Sequence, residues 1–345
     1  MSDRFGIILA AGFGTRMLPL TKVTPKPLLP FLNTPIIAYT VDHMVRAGIR
    51  HIGVNLHHLG HLVPPFLEQL AQALKPSYGH LEFTCVEEQD IRGTAGGVAG
   101  VWSAMGCPQG TAAIINGDAL TGMNLGQALD EHQVSGARAT LVTRPASGGH
   151  PGGVWATSDA KVVGLRKAGV SSGIELDFMG IHFVEGPTLE AARTASEKAQ
   201  TTCMVGDVYI PSLGTPAAPR TIINEDFWIA LDNPSLLLHA TRAVLENPSI
   251  FPQAPLVENK GAGMTFMNSK GVNDKAMVSP PVFAGLDVHI DAGTRVGPNV
   301  VMDGVHALPT TVLRGAVMYG MGRVEGEWAS CVCVNGEIAQ VTPGT

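Results

Sequence analysis

Four residues near the start of the chain, Gly12, Gly14, Arg16 and Lys26, have the types and spacing of a phosphate site. Glycine leaves no Cβ in a ligand's path and permits positive φ. The backbone amides of Ala10-Ala11-Gly12-Phe13-Gly14-Thr15 can therefore turn toward an anion. Arg16 adds a forked, permanently charged donor that matches phosphate oxygens, and Lys26 adds a mobile point charge. Pro19, Pro25, Pro27 and Pro30 restrict the backbone around both cations, so little ordering entropy is left to lose on binding. The bland alternative is a Gly-rich strand-to-helix turn with solvated cations. Two familiar nucleotide loops do not fit. Met17 stands where a dinucleotide fingerprint needs its third glycine, and the Gly-Lys-Ser/Thr of a P-loop is absent.

These residues need elements to hold them. Apolar runs at 5–9, 52–56, 81–86 and 111–115 read as strands, and 36–47, 59–74 and 95–105 as helices. That alternation predicts a mostly parallel, Rossmann-like sheet with helices on both faces, binding its ligand at the carboxyl edge of the strands. Two further motifs fall on that edge. Gly93-Thr94-Ala95-Gly96-Gly97 opens a helix, where amide donors favour a phosphate or let a base pack closely. Ile115-Asn116-Gly117-Asp118 ends a strand in a carboxylate, the place for a magnesium ligand beside a triphosphate, although Asn-Gly-Asp is also ordinary turn chemistry.

Residues 9–30, L-A-A-G-F-G-T-R-M-x-P-L-T followed by P-K-P-L-L-P, resemble the signature of the sugar-1-phosphate nucleotidyltransferases, also called NDP-sugar pyrophosphorylases. The resemblance implies that Leu9, Ala10, Ala11, Gly12, Gly14 and Thr15 hold a nucleotide, with Arg16 on its triphosphate. It also implies that Lys26 neutralises phosphate charge during transfer and that Asp118 holds Mg2+. Gly93 and Thr94 would line the base and sugar pocket, with Glu88 and Gln89 at the base edge.

For the sugar phosphate, the resemblance points to Lys167, Gly117, Gly153 and Gly180 in a strand-rich part with strands at 139–143, 153–156, 162–165 and 178–184. Two departures stand out. Arg166 replaces the glutamate of the family's Glu-Lys-Pro. In Trp228-Ile229-Ala230-Leu231-Asp232-Asn233-Pro234, Ala230 replaces the aspartate that joins the metal in Trp-x-Asp-x-Gly-Thr-Pro. Asp232 lies one pleat further on the same face, and is either a second metal ligand or a residue starting the helix at 234–245. Gly180 leaves room for a sugar ring or belongs to a plain buried strand.

The expected domains are a catalytic domain at 1–246, a connector at 247–281 and a β domain at 282–345. In the last, Ile290, Val296 and Met302, then Val312, Met318 and Val324, recur every six residues, as in a short left-handed parallel β-helix; an irregular β cap is the alternative. Relatives carrying such a β-helix use it for subunit contacts, which implies a homo-oligomer.

Bulk properties narrow the partners. The 345 residues carry a net charge of -6 without basic runs, which argues against nucleic acid. Neither a signal sequence nor an apolar run long enough to span a membrane is evident, so a cytoplasmic location is expected. The 5 cysteines have no zinc-type spacing and read as free thiols. His57, His58 and His61 lack an evident third ligand and read as a solvated helix start.

The expected reaction is in-line transfer of a nucleotidyl group to a sugar 1-phosphate. The phosphate is already the nucleophile, so no Ser-His or Cys-His pair is required. A carboxylate at 88 accepts from guanine's two donors, or from the N3 donor of uracil or thymine. GTP with mannose 1-phosphate is the leading pair. UTP or dTTP with another hexose 1-phosphate is the alternative. Ala230 and Arg166 keep open a different class, a weakened regulatory or NDP-sugar-sensing paralogue.

Overall fold

The apolar run after Asp3 folds as strand β1, Arg4–Leu9, in the middle of a mixed sheet. Phe5, Ile7 and Ile8 are all buried, so both faces of β1 are covered, as in a parallel sheet flanked by helices. The computed structural model describes residues 3–146, 153–165, 173–252 and 271–342, and the backbone of 264–266. Two units divide the chain: Met1–Gly12, Thr40–Ala119 and Met123–Trp228 form the first, and Phe13–Tyr39, Leu120–Gly122 and Ile229–Thr345 the second.

In the first unit β1 is flanked by β2, His51–Leu56, with β3, Glu82–Glu87, beyond it, and on its other side by β4, Thr111–Asn116. All four are parallel. The sheet then turns mixed through β5, Ala139–Pro145, β6, Gly153–Ala156, β7, Val162–Leu165, and β8, Ile174–Val184. Its order is β7-β6-β8-β4-β1-β2-β3, with β5 paired to β8 and to Arg220–Ile223. The direction of winding reverses between β1 and β4, which is where open α/β sheets bind ligands.

Helices α1, Ile36–Arg46, α2, Val63–Tyr78, and α3, Gly93–Ala104, lie where periodicity put them. The expected start of α2 at 59 is corrected: Leu59 takes a left-handed φ of 52° and Gly60–Leu62 form a 3-10 turn first. Two further helices, α4, Leu125–Ser135, and α5, Gly186–Lys198, were not anticipated. Each buries only a narrow stripe, such as Leu125, Ala128, Leu129 and His132, and that makes a faint pattern.

His182 of β8 sits in this unit's interior, edge-on to Phe178 and Tyr209, with its Nδ1 hydrogen-bonded to Tyr209 Oη. Burial pushes its pKa from 6.5 down to about 3. The folded ring stays neutral while the unfolded ring takes a proton below its ordinary pKa, so stability falls as pH drops from about 6.5 toward 3. The urea midpoint is expected to fall between about pH 7 and about pH 5, and to fall less in His182→Gln. An identical fall in that variant would contradict the assignment.

The second unit holds the β domain. Val300–Ala307, Val312–Val324 and Glu327–Val334 stack as parallel coils, with Val282–Ala284 and Val288–Ile290 before them. Ala284, Met302, Met318 and Cys333 form one ladder, at intervals of eighteen, sixteen and fifteen residues. Ile290, Ala307 and Val324 form a second, and Val296, Leu313 and Trp328 a third. Three sides per coil explain the six-residue period, and the domain is β-helix-like. One position is corrected: Leu313, not Val312, points into the core, because later coils are shorter. Cys331 and Cys333 share the inward face as free thiols.

Segment 13–39 packs within this same unit. Asn33 N donates to Tyr319 Oη at 2.6 Å, Asn335 Nδ2 to Thr24 Oγ1 at 3.2 Å, and Lys22 pairs with Glu337 at 3.6 Å. The cation-bearing half of the glycine loop is thus anchored to the β coils. Helix α6, Pro234–Glu246, is capped by Asn233, whose side chain accepts from Leu236 N, so Asp232 is not its cap.

Candidate active site

In the first unit β1, β2, β3 and β4 end together, because register pairs Leu9 with both Asn55 and Asn116, and Leu56 with Glu87. Leu9, the loop from Ala10, Glu88 and Gly117-Asp118 therefore share one sheet edge. Gly117 N donates to Leu9 O at 2.9 Å, which fixes the turn carrying the half-buried Asp118.

The reading of the first loop narrows here. Ala10 N and Ala11 N already donate to Asn55 Oδ1, at 2.7 and 3.3 Å, so these two amides face inward and are not free for a phosphate. Glu88, expected at the base edge, turns its carboxylate inward too: Oε1 accepts from Asn55 Nδ2 at 2.8 Å and Oε2 from Arg92 N at 2.9 Å. Its neighbour Gln89 is exposed. Asn55 was not anticipated; its only sequence signal is a polar residue closing an apolar strand.

The second glycine motif begins α3 and is clamped from a distant segment. Ala95 N donates to Thr202 O at 3.0 Å, Thr202 N to Arg92 O at 2.9 Å, and Met204 N to Thr94 Oγ1 at 2.8 Å. No spacing in the sequence could reveal these partners. A Cβ at Gly180 would stand 2.6 Å from Asn116 Nδ2, so this glycine, at φ 73°, makes room for Asn116. Gly153 is buried where β6 pairs with β8, opposite Asp177. Arg166 and Lys167 lie outside the described residues.

In the second unit Gly14 takes a left-handed φ of 62° and starts the turn Thr15–Met17, and Thr21 Oγ1 donates to Gly14 O at 2.9 Å. Arg16 and Lys26 converge on one carboxylate. Arg16 Nη1 and Nη2 meet Asp232 Oδ2 and Oδ1, both at 2.9 Å, and Lys26 Nζ meets Oδ1 at 3.2 Å. The bidentate fork is the geometry guanidinium uses for carboxylate and phosphate alike. Asp232, expected as a metal ligand or a helix start, is placed as the counter-ion of both cations.

Among the described residues no three His, Cys, Asp or Glu side chains are grouped to hold a metal. Mg2+ with a nucleotide needs only one or two carboxylates, because phosphates and water complete its shell. The single carboxylate of Asp118 suits that donor set, whereas Asp232 faces cations.

Residues 5–165 match the family model described as nucleotidyl transferase. Relatives extend the likeness over most of the chain. The chain is 25% identical to a UTP–glucose-1-phosphate uridylyltransferase of Synechocystis sp., over 92% of this chain and 83% of the relative. It is 26% identical to a mannose-1-phosphate guanylyltransferase of Mycobacterium tuberculosis, over 94% and 82%. Identity reaches 32% with the mannose-1-phosphate guanylyltransferase catalytic subunit beta of Danio rerio, over 39% of this chain and 36% of that protein. A Bacillus anthracis crystal structure described as a glucose-1-phosphate thymidylyltransferase with sucrose superposes with a TM-score of 0.58 at 18% identity, covering 75% of this chain and 98% of that one. That likeness concerns the fold. The chain is a nucleotidyltransferase enzyme, as its residues 9–30 suggested.

Proposed function

We propose that this enzyme joins GTP to mannose 1-phosphate, within the sugar-1-phosphate nucleotidyltransferase class its relatives define. A sugar-phosphate oxygen attacks the α-phosphorus and a new P–O bond forms. The bond from the α-phosphorus to the α,β-bridging oxygen breaks, that oxygen keeps the electron pair, and pyrophosphate leaves. The observation that carries this reading is the convergence of Arg16 and Lys26 on one anion, since the same donors suit a phosphate.

Arg16 holds the charge that grows on the departing pyrophosphate, and Lys26 and Lys167 offset the approaching phosphates. Asp232 holds the two loop cations together until the nucleotide replaces it. Asp118 would hold Mg2+, which supplies further neutralisation of triphosphate charge. Gly12 and Gly14 shape the loop, and Thr15, Gln89, Gly93 and Thr94 bind the nucleotide. The β-helix-like coils serve subunit contact.

The Synechocystis relative favours a second reading, UTP with glucose 1-phosphate. Ala230, without a carboxylate, keeps a non-catalytic sensor as the third. Pyrophosphate release measured across four nucleoside triphosphates and a set of hexose 1-phosphates separates them. GTP with mannose 1-phosphate should give the highest rate. A higher rate with UTP or dTTP selects the second reading, and binding of an NDP-sugar without any release selects the third.

A further inference from the structure

Two loops named separately in the sequence are joined by a buried pair that neither motif contains. We propose that Asn55 and Glu88 are a positioning pair that sets both glycine loops to the shape that accepts the nucleotide. This role rests on the nucleotidyl-transfer reading above.

The chain of contacts is continuous. Ala10 N and Ala11 N donate to Asn55 Oδ1, Asn55 Nδ2 donates to Glu88 Oε1, and Arg92 N donates to Glu88 Oε2. Asn55 is 4% and Glu88 6% exposed, so water does not compete for these groups. His57 Nδ1 lies 2.7 Å from Glu88 O and fixes the backbone at the same residue. The pair fits only because α3 carries glycine beside it: a Cβ at Gly97 would stand 2.4 Å from Asn55 Nδ2 and 3.1 Å from Glu88 Oε1. Gly97 thus acquires a role besides ligand approach. It lets the helix lie against the bridge.

Polarity makes the pair specific. Residue 55 must accept twice on one atom and donate from the other, and among side chains of this size only asparagine does both. Residue 88 must accept on both oxygens, from Asn55 and from the Arg92 amide. Asn55→Asp leaves two acceptors face to face. Glu88→Gln leaves its amide group facing a donor. The double substitution Asn55→Asp/Glu88→Gln reverses the central hydrogen bond, because the glutamine amide now donates to the aspartate and its carbonyl still accepts from Arg92 N. Every bond returns with the net charge unchanged.

The test titrates each protein with the Mg-nucleoside triphosphate that gives the fastest pyrophosphate release, and follows turnover separately. Each single variant should bind nucleotide about ten-fold more weakly, with the KM for sugar 1-phosphate changed less than about two-fold; the double variant should recover to within about three-fold of wild type. Unchanged binding in the singles overturns the proposal, as does a double variant as weak as both singles combined. Failure of the functional reading looks different: wild type would bind nucleotide and release no pyrophosphate, while the binding comparison still decides the pair. Should wild type bind no nucleotide, hydrogen exchange at residues 8–14 and 88–95 decides it. Exchange should quicken in the singles and return to the wild-type rate in the double, and equal exchange in all four proteins overturns the pair. If a single variant fails to fold, a folded double variant supports the proposal and an unfolded one overturns it.

Discussion

Arg16→Ala is expected to slow pyrophosphate release by about two to three orders of magnitude while the melting temperature stays within about 2 °C of wild type. The two expectations have separate causes. Catalytically, Arg16 is the forked cation for charge that develops as pyrophosphate departs, and alanine offers that charge nothing. Structurally, its side chain is 70% exposed and its hydrogen bonds go to Asp232, which retains Lys26 as a partner. An exposed ion pair contributes about 0–1 kcal/mol, too little to move the unfolding transition far. Arg16→Lys should recover only part of the rate, since lysine keeps the charge without the fork. Steady-state rates with a melting curve on the same preparation check both halves. A full rate in Arg16→Ala would sink the assignment of this residue.

The second large effect is expected at Gly93, where substitution should harm fold and site together. Its φ of 73° is strained for any L side chain, and an added Cβ would stand 2.3 Å from Thr202 O, a backbone atom that cannot swing aside. Relief requires moving Thr202, which breaks its bonds to Ala95 N and Arg92 O and loosens Met204 N on Thr94. Gly93→Ala should therefore lower stability by about 2–4 kcal/mol and raise the KM for nucleotide, with a smaller effect on the KM for sugar 1-phosphate. Urea unfolding and initial-rate kinetics measure the two effects. A wild-type urea midpoint would show that the Thr202 segment does not clamp this loop.

Much of this arrangement was legible because local patterns and global fold agree. The strand, glycine loop and cations at 5–26 lie in the order in which they fold, and the helices α1 to α3 follow from apolar periods that tertiary packing did not override. The six-residue period of the β coils was readable for the same reason, since each side of a coil buries one inward residue; Leu313 escaped because coil length varies. What stayed hidden depends on contacts between distant positions. Asn55 reaches Ala10 only through the register of β1 and β2, and Thr202 meets Arg92 across more than a hundred residues of chain. The direction of the Glu88 carboxylate belongs to the same class: sequence shows an acid beside a glycine loop, but burial alone turns it inward. Strand alternation put Asp232 on the face of Ala230, yet only the fold shows that two cations wait there.

The central claim is that a sugar 1-phosphate captures the nucleotidyl group of a nucleoside triphosphate. Its most direct test follows the phosphorus atoms in the purified protein, with triphosphate labelled either at the α or at the β position and Mg2+ present. The α label should move into NDP-sugar and the β label into pyrophosphate, in equal amounts and only when sugar 1-phosphate is added. Release of inorganic phosphate in place of pyrophosphate, or pyrophosphate formed without sugar 1-phosphate, would contradict the account.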